Sequence, residues 1–200
     1  MKKILIVLWL LNSFFLVAEN QTVCAINKVN SIHIYLCSRL TEAAKKWNNE
    51  ICQELNSEFC IFRPQDVDVS DFTPIELDWA AYSLDLEGMK DADLLLVLPP
   101  YGRDCAWEIG WFCGKQKPAI AYAEIEGDWL LDAMVKGGLT AIITDNALLY
   151  KTLLENPSTR EKSHLIVSRK NLAEMIKKIY YQKIQEVKPN HGVFKMTRDW

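Results

Sequence analysis

The sequence predicts an α/β fold in which a single domain contains a parallel sheet flanked by helices. Short apolar runs of the kind that form buried strands alternate along the chain with longer segments of helical periodicity. The run Leu94–Leu98 is apolar throughout, as expected of a strand buried on both faces, and Pro99, Pro100 and Gly102 end it. Because strands joined by helices pair in parallel through right-handed crossovers, we expect helices on both faces in a flavodoxin-like arrangement.

The remaining elements follow from the same two periodicities. Further strands are predicted at Ser31–Leu36, Phe59–Phe62, Ala119–Ala123 and Ala141–Thr144. Helices are predicted at Leu40–Leu55 with Ser38 as N-cap, at Ile75–Met89, from about Ala106 to Gly114, and over residues 171–187.

The length of 200 residues suits one domain behind a short leader. We divide the chain into a leader over residues 1–18, a domain over 31–188 and a C-terminal tail over 189–200. The formal net charge of −3 gives no reason to expect a nucleic acid or an anionic membrane surface as a partner.

The leader has the pattern of a secretory signal peptide. Lys2 and Lys3 form a basic start, and the run Ile4–Ala18 is almost entirely apolar. This run is shorter than the roughly 20 residues that a transmembrane helix needs, so no stable membrane span is expected. We therefore expect export to the periplasm or the exterior if the leader is a signal peptide, and a cytoplasmic protein otherwise.

The six cysteines leave two possibilities open. An even number fits disulfides in an exported protein. Cys37, Cys60 and Cys113 lie in apolar segments, however, and favour mostly free thiols that pack as small hydrophobic side chains. No Cys-x-x-Cys pair occurs, which argues against structural zinc and thioredoxin-like chemistry. A catalytic Cys105 is not expected either, because no histidine lies near it in sequence to act as its base.

The segment Tyr101–Trp111 is the most informative stretch for function. It follows the strand Leu94–Leu98 and leads into a helix, which places it at the edge where open α/β sheets bind ligands. Glu108 is predicted to fall in the first turn of that helix among apolar residues, where a carboxylate is costly unless it is paired or used. Spacing alone allows two roles for Glu108, which are to complement the helix dipole or to act in a site.

Part of this segment, Gly102–Gly110 with the sequence GRDCAWEIG, resembles the signature of the nucleoside 2-deoxyribosyltransferase-like family. Many members carry Gly-Arg-Ser-Ala-x-x-Glu-x-Gly after a strand, and the glutamate is the nucleophile. Here Asp104 and Cys105 replace the small pair. The resemblance spans about residues 32–125 and, more weakly, extends to 143. It implies that Glu108 is the nucleophile and that Gly102, Arg103 and Asp104 contact the substrate.

The resemblance also implies roles outside this motif. The first loop of the family carries an aromatic residue that contacts sugar or base, and Tyr35 matches it. An Asp-Leu-x-Gly element is matched by Asp85–Met89, where Asp85 either acts in catalysis or orients Tyr35 or a loop amide. In family dimers an Asn-x-Met segment enters the neighbouring site, and Asp132 and Met134 match it with aspartate in place of asparagine. We therefore expect a homo-oligomer with shared sites.

Two arginines suggest an anion site. Ser38 and Arg39 begin the first predicted helix, whose exposed amides can hold an anion such as a 5′-phosphate. Arg103 lies in the other loop at the same edge of the sheet, so both guanidinium groups would face one crevice. The alternative is that Arg103 pairs with Asp104 or Asp85 and that Arg39 is solvated.

The resemblance, together with these residues, implies cleavage or transfer at the N-glycosidic bond of nucleosides or their 5′-monophosphates, with a small-molecule partner, no cofactor and no metal. Glu108 attacks the anomeric carbon, the base departs, and another base or water resolves the glycosyl ester with retention of configuration. Two alternatives stay open. One is a nucleotide-binding module without turnover, because a fold does not guarantee an activity. The other is an exported glycohydrolase that acts on a nucleotide or dinucleotide.

Overall fold

The computed structural model describes residues 31–127 and 132–187, and six strands in this part of the chain form one sheet. The strands are β1 (Ile32–Ser38), β2 (Phe59–Phe62), β3 (Leu94–Leu98), β4 (Ala119–Tyr122), β5 (Ala141–Thr144) and β6 (Ser163–Leu165). Their order is β2-β1-β3-β4-β5-β6, and every neighbouring pair is parallel. The predicted fold class is confirmed. The leader and the tail predicted at the two termini lie outside the described residues.

Six α-helices accompany the sheet within the described ranges. They are α1 (Glu42–Leu55), α2 (Pro74–Asp91), α3 (Arg103–Gly114), α4 (Ala133–Gly138), α5 (Ala147–Glu155) and α6 (Leu172–Val187). None of these six is both long and apolar enough to cross a membrane.

The sheet separates two buried cores because successive residues of a strand point to opposite faces. On β1, Ile34 and Leu36 belong to the core that α1 and α6 cover. Tyr35 and Cys37 belong to the opposite core, to which α2, α3, α4 and α5 contribute. Tyr35 and Cys37 therefore face the helix that carries Glu108.

The strand order reverses at β1, and this reversal positions the site. β2 lies on one side of β1, whereas β3 and all later strands lie on the other. Chain segments that leave β1 and β3 turn away in opposite directions, so a crevice opens between the loops at their carboxyl ends. The loop after Ser38 and the loop after Leu98 border that crevice, because these two residues are register partners.

The predicted start of the first helix is wrong. Ser38 is still part of β1, because the pairing of β1 with β3 continues to its last residue. The N-cap is Thr41, whose hydroxyl oxygen accepts a hydrogen bond from the Ala44 amide at 3.4 Å. The helix after the motif loop also starts earlier than predicted, at Arg103 with Gly102 as its N-cap.

Two helices, α4 and α5, and one strand, β6, were not predicted. α5 begins after Asn146, whose side-chain oxygen accepts hydrogen bonds from the Leu148 and Leu149 amides at 2.9 and 3.1 Å. β6 has three residues and lies at the edge of the sheet, with no side chain fully buried. A strand that short shows no periodicity that a sequence can reveal.

The prediction of mostly free thiols is confirmed for the described residues, since Cys37, Cys52, Cys105 and Cys113 are free. Two individual predictions are wrong. Cys60 is half-buried and disulfide-bonded, and Cys113 lies on the exposed side of α3. Both cysteines have apolar neighbours in sequence, but these neighbours do not show whether a residue of an edge strand or a helix lies on its buried or its exposed side.

Gly88 on α2 allows a close approach that the site requires. A Cβ atom built there would lie 2.6 Å from a ring carbon of Phe62, and that ring stacks on Tyr35 with centroids 5.4 Å apart. Gly110 on α3 differs, because a Cβ atom there would meet nothing within 4 Å in the described structure.

We therefore expect Gly88→Ala to destabilise the fold by about 1–3 kcal/mol, since the Phe62 ring must move against its neighbours. Gly110→Ala is the matched control, and it should stabilise the exposed helix by up to about 1 kcal/mol. Chemical denaturation of both variants at one pH measures the two effects. A Gly88→Ala variant as stable as the wild type would contradict this account of the packing.

Candidate functional site

Glu108 is buried at the crevice between the β1 and β3 loops, with 7% of its surface exposed. The prediction that Glu108 lies in the first turn of the helix is wrong, because α3 begins at Arg103 and Glu108 therefore falls in the second turn. The helix dipole acts mainly within the first turn, so it does not account for a buried carboxylate at this position. Of the two roles that spacing allowed, the geometry favours a place in a site.

A hydrogen bond joins this carboxylate to the sheet. The Tyr35 hydroxyl donates to Glu108 Oε1 at 2.9 Å, which links β1 to α3 across the buried core. The Tyr35 ring is fully buried, stacks on Phe62 and lies 6.3 Å from the Phe112 ring. Because the ring cannot swing away, its hydroxyl fixes the orientation of the Glu108 carboxylate.

The surroundings keep Glu108 partly protonated near neutral pH. Burial raises its pKa from 4.5 to about 7, while hydrogen bonds from Cys37 and Tyr35 lower it and the charges of Asp104 and Asp85 raise it further. The pKa of Tyr35 is raised well above its ordinary value, first by burial and then by the Glu108 charge. Tyr35 is therefore a neutral hydrogen-bond donor at every relevant pH.

Asp85 and Asp104 complete an acidic group around Glu108. Burial raises the pKa of Asp85 to about 6, and the charge of Asp104 adds to this rise. Asp85 is half-buried on α2, and Asp104 is exposed in the first turn of α3. In the described part of the chain no ion pair joins Asp85, Asp104 or Glu108 to a basic side chain. The structure thus brings together three of the four carboxylates that the sequence singled out, Glu108, Asp85 and Asp104.

Two thiols lie against the carboxylate. Cys37 on β1 and Cys105 on α3 are each 1% exposed, and their sulfur atoms and a Glu108 oxygen all lie within 4.8 Å of one another. Burial raises the pKa of Cys37 well above its ordinary value, and its hydrogen bond with Cys105 raises it further. The Gly102 amide donates to Cys105 Sγ at 3.4 Å, so the motif loop is tied to the same cluster.

The remaining residues of the two loops lie at the rim of the crevice. Ser38 is buried at the end of β1, and its hydroxyl donates to the Arg39 carbonyl at 3.1 Å. Arg39 and Arg103 are exposed, and neither has an acidic partner within 4 Å in the described ranges. The alternative in which Arg103 pairs with Asp104 or Asp85 is therefore not what the structure shows.

Asp132 and Met134 do not join this cluster. Asp132 is the N-cap of α4, and its carboxylate accepts hydrogen bonds from the Met134 and Val135 amides at 2.8 and 3.1 Å. The Met134 side chain is 83% exposed. A capping role explains Asp132 within one chain, and insertion of Met134 into a neighbouring copy stays a prediction.

Comparison with known proteins finds similar solved structures but no similar family model or curated protein. A 2-deoxyribosyltransferase from Bacillus psychrosaccharolyticus is similar in structure, with a sequence identity of 26% and a TM-score of 0.46. The match covers 55% of this chain and 84% of the other.

Two further solved structures are similar over more of the chain. A conserved protein from Enterococcus faecalis has 21% identity, coverage of 74% of this chain and 98% of its own, and a TM-score of 0.45. A CMP N-glycosidase from Clostridium botulinum has 17% identity, coverage of 72% and 98%, and a TM-score of 0.41. None of the three TM-scores reaches 0.5, so these likenesses assign no role to any residue of this chain, and its site is defined by its own residues.

Sequence reasoning missed the contribution of Cys37 and Phe62 to the site. Cys37 follows Tyr35 by two residues on a strand, so it shares the face of Tyr35, and that spacing was a usable signal. Phe62 gave no comparable signal, because its contact with Tyr35 depends on β2 pairing beside β1 and on the absence of a side chain at Gly88.

A buried carboxylate with a raised pKa makes the fold less stable as pH rises. Between pH 4.5 and about 7 the folded chain retains a proton on Glu108 that the unfolded chain has lost, so stability falls through this range and is constant above it. A shift from 4.5 to about 7 corresponds to about 3 kcal/mol as an upper bound.

We expect Glu108→Gln to be more stable than the wild type at pH 8 and to lose less stability between pH 5 and pH 8, because an amide does not titrate. Denaturation curves across this range measure the difference. Glu87→Gln is the control, since Glu87 is exposed and, among the described residues, forms an ion pair only with Lys90 on the same helix. Parallel pH dependence in the wild type and Glu108→Gln would show that Glu108 ionises as it does in water.

Proposed function

We propose that this protein cleaves or transfers at the N-glycosidic bond of nucleosides or their 5′-monophosphates through a covalent glycosyl–Glu108 intermediate. The observation that carries the proposal is the 2.9 Å hydrogen bond from Tyr35 to a buried Glu108 at the crevice between β1 and β3. It combines the position in which open α/β sheets bind ligands with a carboxylate that is held in one orientation.

The proposed reaction has two steps. A lone pair of the ionised Glu108 carboxylate attacks the anomeric carbon as the C–N bond breaks, and the electrons of that bond leave with the base. The negative carboxylate stabilises the oxocarbenium-like transition state before the new bond is complete. Water or a second base then attacks the glycosyl ester and frees Glu108. Two inversions at one carbon give overall retention.

Asp85 is the proposed acid of the first step. A departing base needs a proton, and a carboxyl group with a pKa of about 6 is protonated in roughly a tenth of molecules at pH 7. Because the pKa of Glu108, about 7, is higher, the reactive state with Asp85 protonated and Glu108 ionised is the minor form of the singly protonated pair. Tyr35 keeps the nucleophile in place and stays neutral.

A nucleotide-binding module without turnover is the second candidate. It is favoured by the pKa of about 7 at Glu108, because a large fraction of the carboxylates would be protonated and unreactive near neutral pH. The two candidates differ in whether the bound nucleoside is consumed.

We expect Glu108→Gln to reduce base release by about a thousandfold or more, because an amide keeps the shape of the side chain and loses its nucleophilicity. Wild-type enzyme quenched with substrate should carry a glycosyl ester on the peptide that contains Glu108, as seen by mass spectrometry. Glu87→Gln, with an equally small change on the exposed face of α2, should retain full activity. Base release by Glu108→Gln at the wild-type rate would exclude this mechanism, and binding without base release by the wild type would establish the module.

The two exposed arginines support 5′-monophosphates as substrates. Arg39 follows β1, Arg103 follows the β3 loop, and no acidic side chain of the described residues neutralises either. The helix start contributes less than the sequence suggested, because the Thr41 hydroxyl occupies the Ala44 amide and Glu42 adds a negative charge. A phosphate would therefore be held chiefly by guanidinium groups.

We expect Arg39→Ala to lower kcat/KM for a deoxynucleoside monophosphate by about 10- to 100-fold, because a charged hydrogen bond contributes about 1.5–3 kcal/mol. The value for the free nucleoside should be unchanged. Lys151→Ala removes an equal charge from the exposed surface of α5 and should affect neither substrate. Equal use of both substrates by wild type and variant would indicate that the protein does not recognise the phosphate through Arg39.

A further inference from the structure

Glu108 shares its buried environment with two sulfur atoms that the proposed reaction does not use. Cys105 and Glu108 are three residues apart on α3 and therefore lie on one face of the helix. Cys37 reaches the same point from β1. Each pair among the two sulfur atoms and one Glu108 oxygen lies within 4.8 Å. Three potential ligands thus converge from two rigid elements of the fold.

The spacing of these atoms is close to that of a metal site. Zinc binds thiolate sulfur at about 2.3 Å, which places two sulfur ligands of a tetrahedral ion about 3.8 Å apart. Ligand atoms that already lie within 4.8 Å reach that spacing when their side chains move by about 1 Å or less. Three protein ligands leave a fourth position for water, as in other open zinc sites.

The charge of the surroundings favours a cation. Asp85 and Asp104 act on Glu108, and none of these acids forms an ion pair with a basic side chain in the described structure. The Gly102 amide points its hydrogen at Cys105 Sγ, which supports negative charge on that sulfur. Two thiolates with one carboxylate select borderline and soft ions such as Zn²⁺ over Mg²⁺ and Ca²⁺.

We propose that Cys37, Cys105 and Glu108 form a site for one Zn²⁺ ion, and that the bound ion inhibits the protein because it coordinates the carboxylate that attacks the substrate. The two thiol protons and any proton on Glu108 leave to solvent as the ion binds, and no electron is transferred. The binding part stands on the geometry alone. The inhibitory part rests on the proposed function.

Cadmium titration tests the binding part directly. Cd²⁺ takes the same ligands as Zn²⁺ and gives a thiolate charge-transfer absorption in the ultraviolet, so the readout does not depend on activity. The titration is done under argon without added thiol, which keeps Cys37 and Cys105 reduced and the disulfide of Cys60 intact. We expect one Cd²⁺ per chain, displaced by Zn²⁺ and not by Mg²⁺.

Single substitutions locate the site. Cys37→Ser and Cys105→Ser should each weaken binding by about a hundredfold or more, whereas Cys113→Ser, which removes an exposed thiol elsewhere on α3, should bind as the wild type does. Glu108→Gln retains both thiols and should keep the absorption band with at least about tenfold weaker binding. This variant keeps the test decisive if a cysteine variant fails to fold. A wild-type titration without the band, or a band lost only in Cys113→Ser, would overturn the zinc site.

Activity separates the two parts of the proposal. One equivalent of Zn²⁺ should suppress base release in the wild type and in Cys113→Ser, and a chelator should restore it. Cys105→Ser should release base at its own rate whether or not Zn²⁺ is added. A wild type that binds Cd²⁺ at Cys37 and Cys105 but releases no base even without metal would leave the zinc site standing and overturn the glycosidic reaction. Full base release with the site loaded would overturn the inhibition.

Discussion

The placement of β1 between β2 and β3 is the constraint on which the rest of the site depends. Parallel pairing on both sides fixes the register of β1, so Tyr35 and Cys37 point into one core and Ile34 and Leu36 into the other. Because the strand order reverses at β1, the crevice opens at the carboxyl end of this same strand. α3 follows β3 and packs on the face of Tyr35, and this places Glu108 against the tyrosine hydroxyl.

The chemistry of the site is in tension with the stability of the fold. A carboxylate that is 7% exposed, beside two other acids and without a basic partner in the described ranges, lowers the stability of the folded chain whenever it is ionised. The Tyr35 hydroxyl compensates part of this penalty. Such a conflict between local stability and charge is expected where side chains are arranged for reactivity.

Much of this could be inferred from the sequence, and what could not has physical reasons. Buried strands were found where apolar runs are bounded by turn residues, as for Leu94–Leu98, and Glu108 was singled out by its position after such a strand. The start of α1 was misplaced because Ser38 and Thr41 are both good N-caps, and only the length of the β1–β3 pairing decides between them. β6 was missed because three edge residues carry no period.

The sheet order also has a consequence for how the chain reaches its folded state. β3, β4 and β5 each pair with the strand that comes next along the chain, whereas β1 pairs with β2 and also with β3, and the partners Ile34 and Leu94 are sixty positions apart. During synthesis β1 therefore emerges well before its second neighbour and keeps one strand edge open until β3 is available. Contacts this distant in sequence slow folding, and an open apolar edge invites association with other chains. β1, the strand that positions the site, is thus also the strand whose unpaired edge is exposed to association with other chains during synthesis.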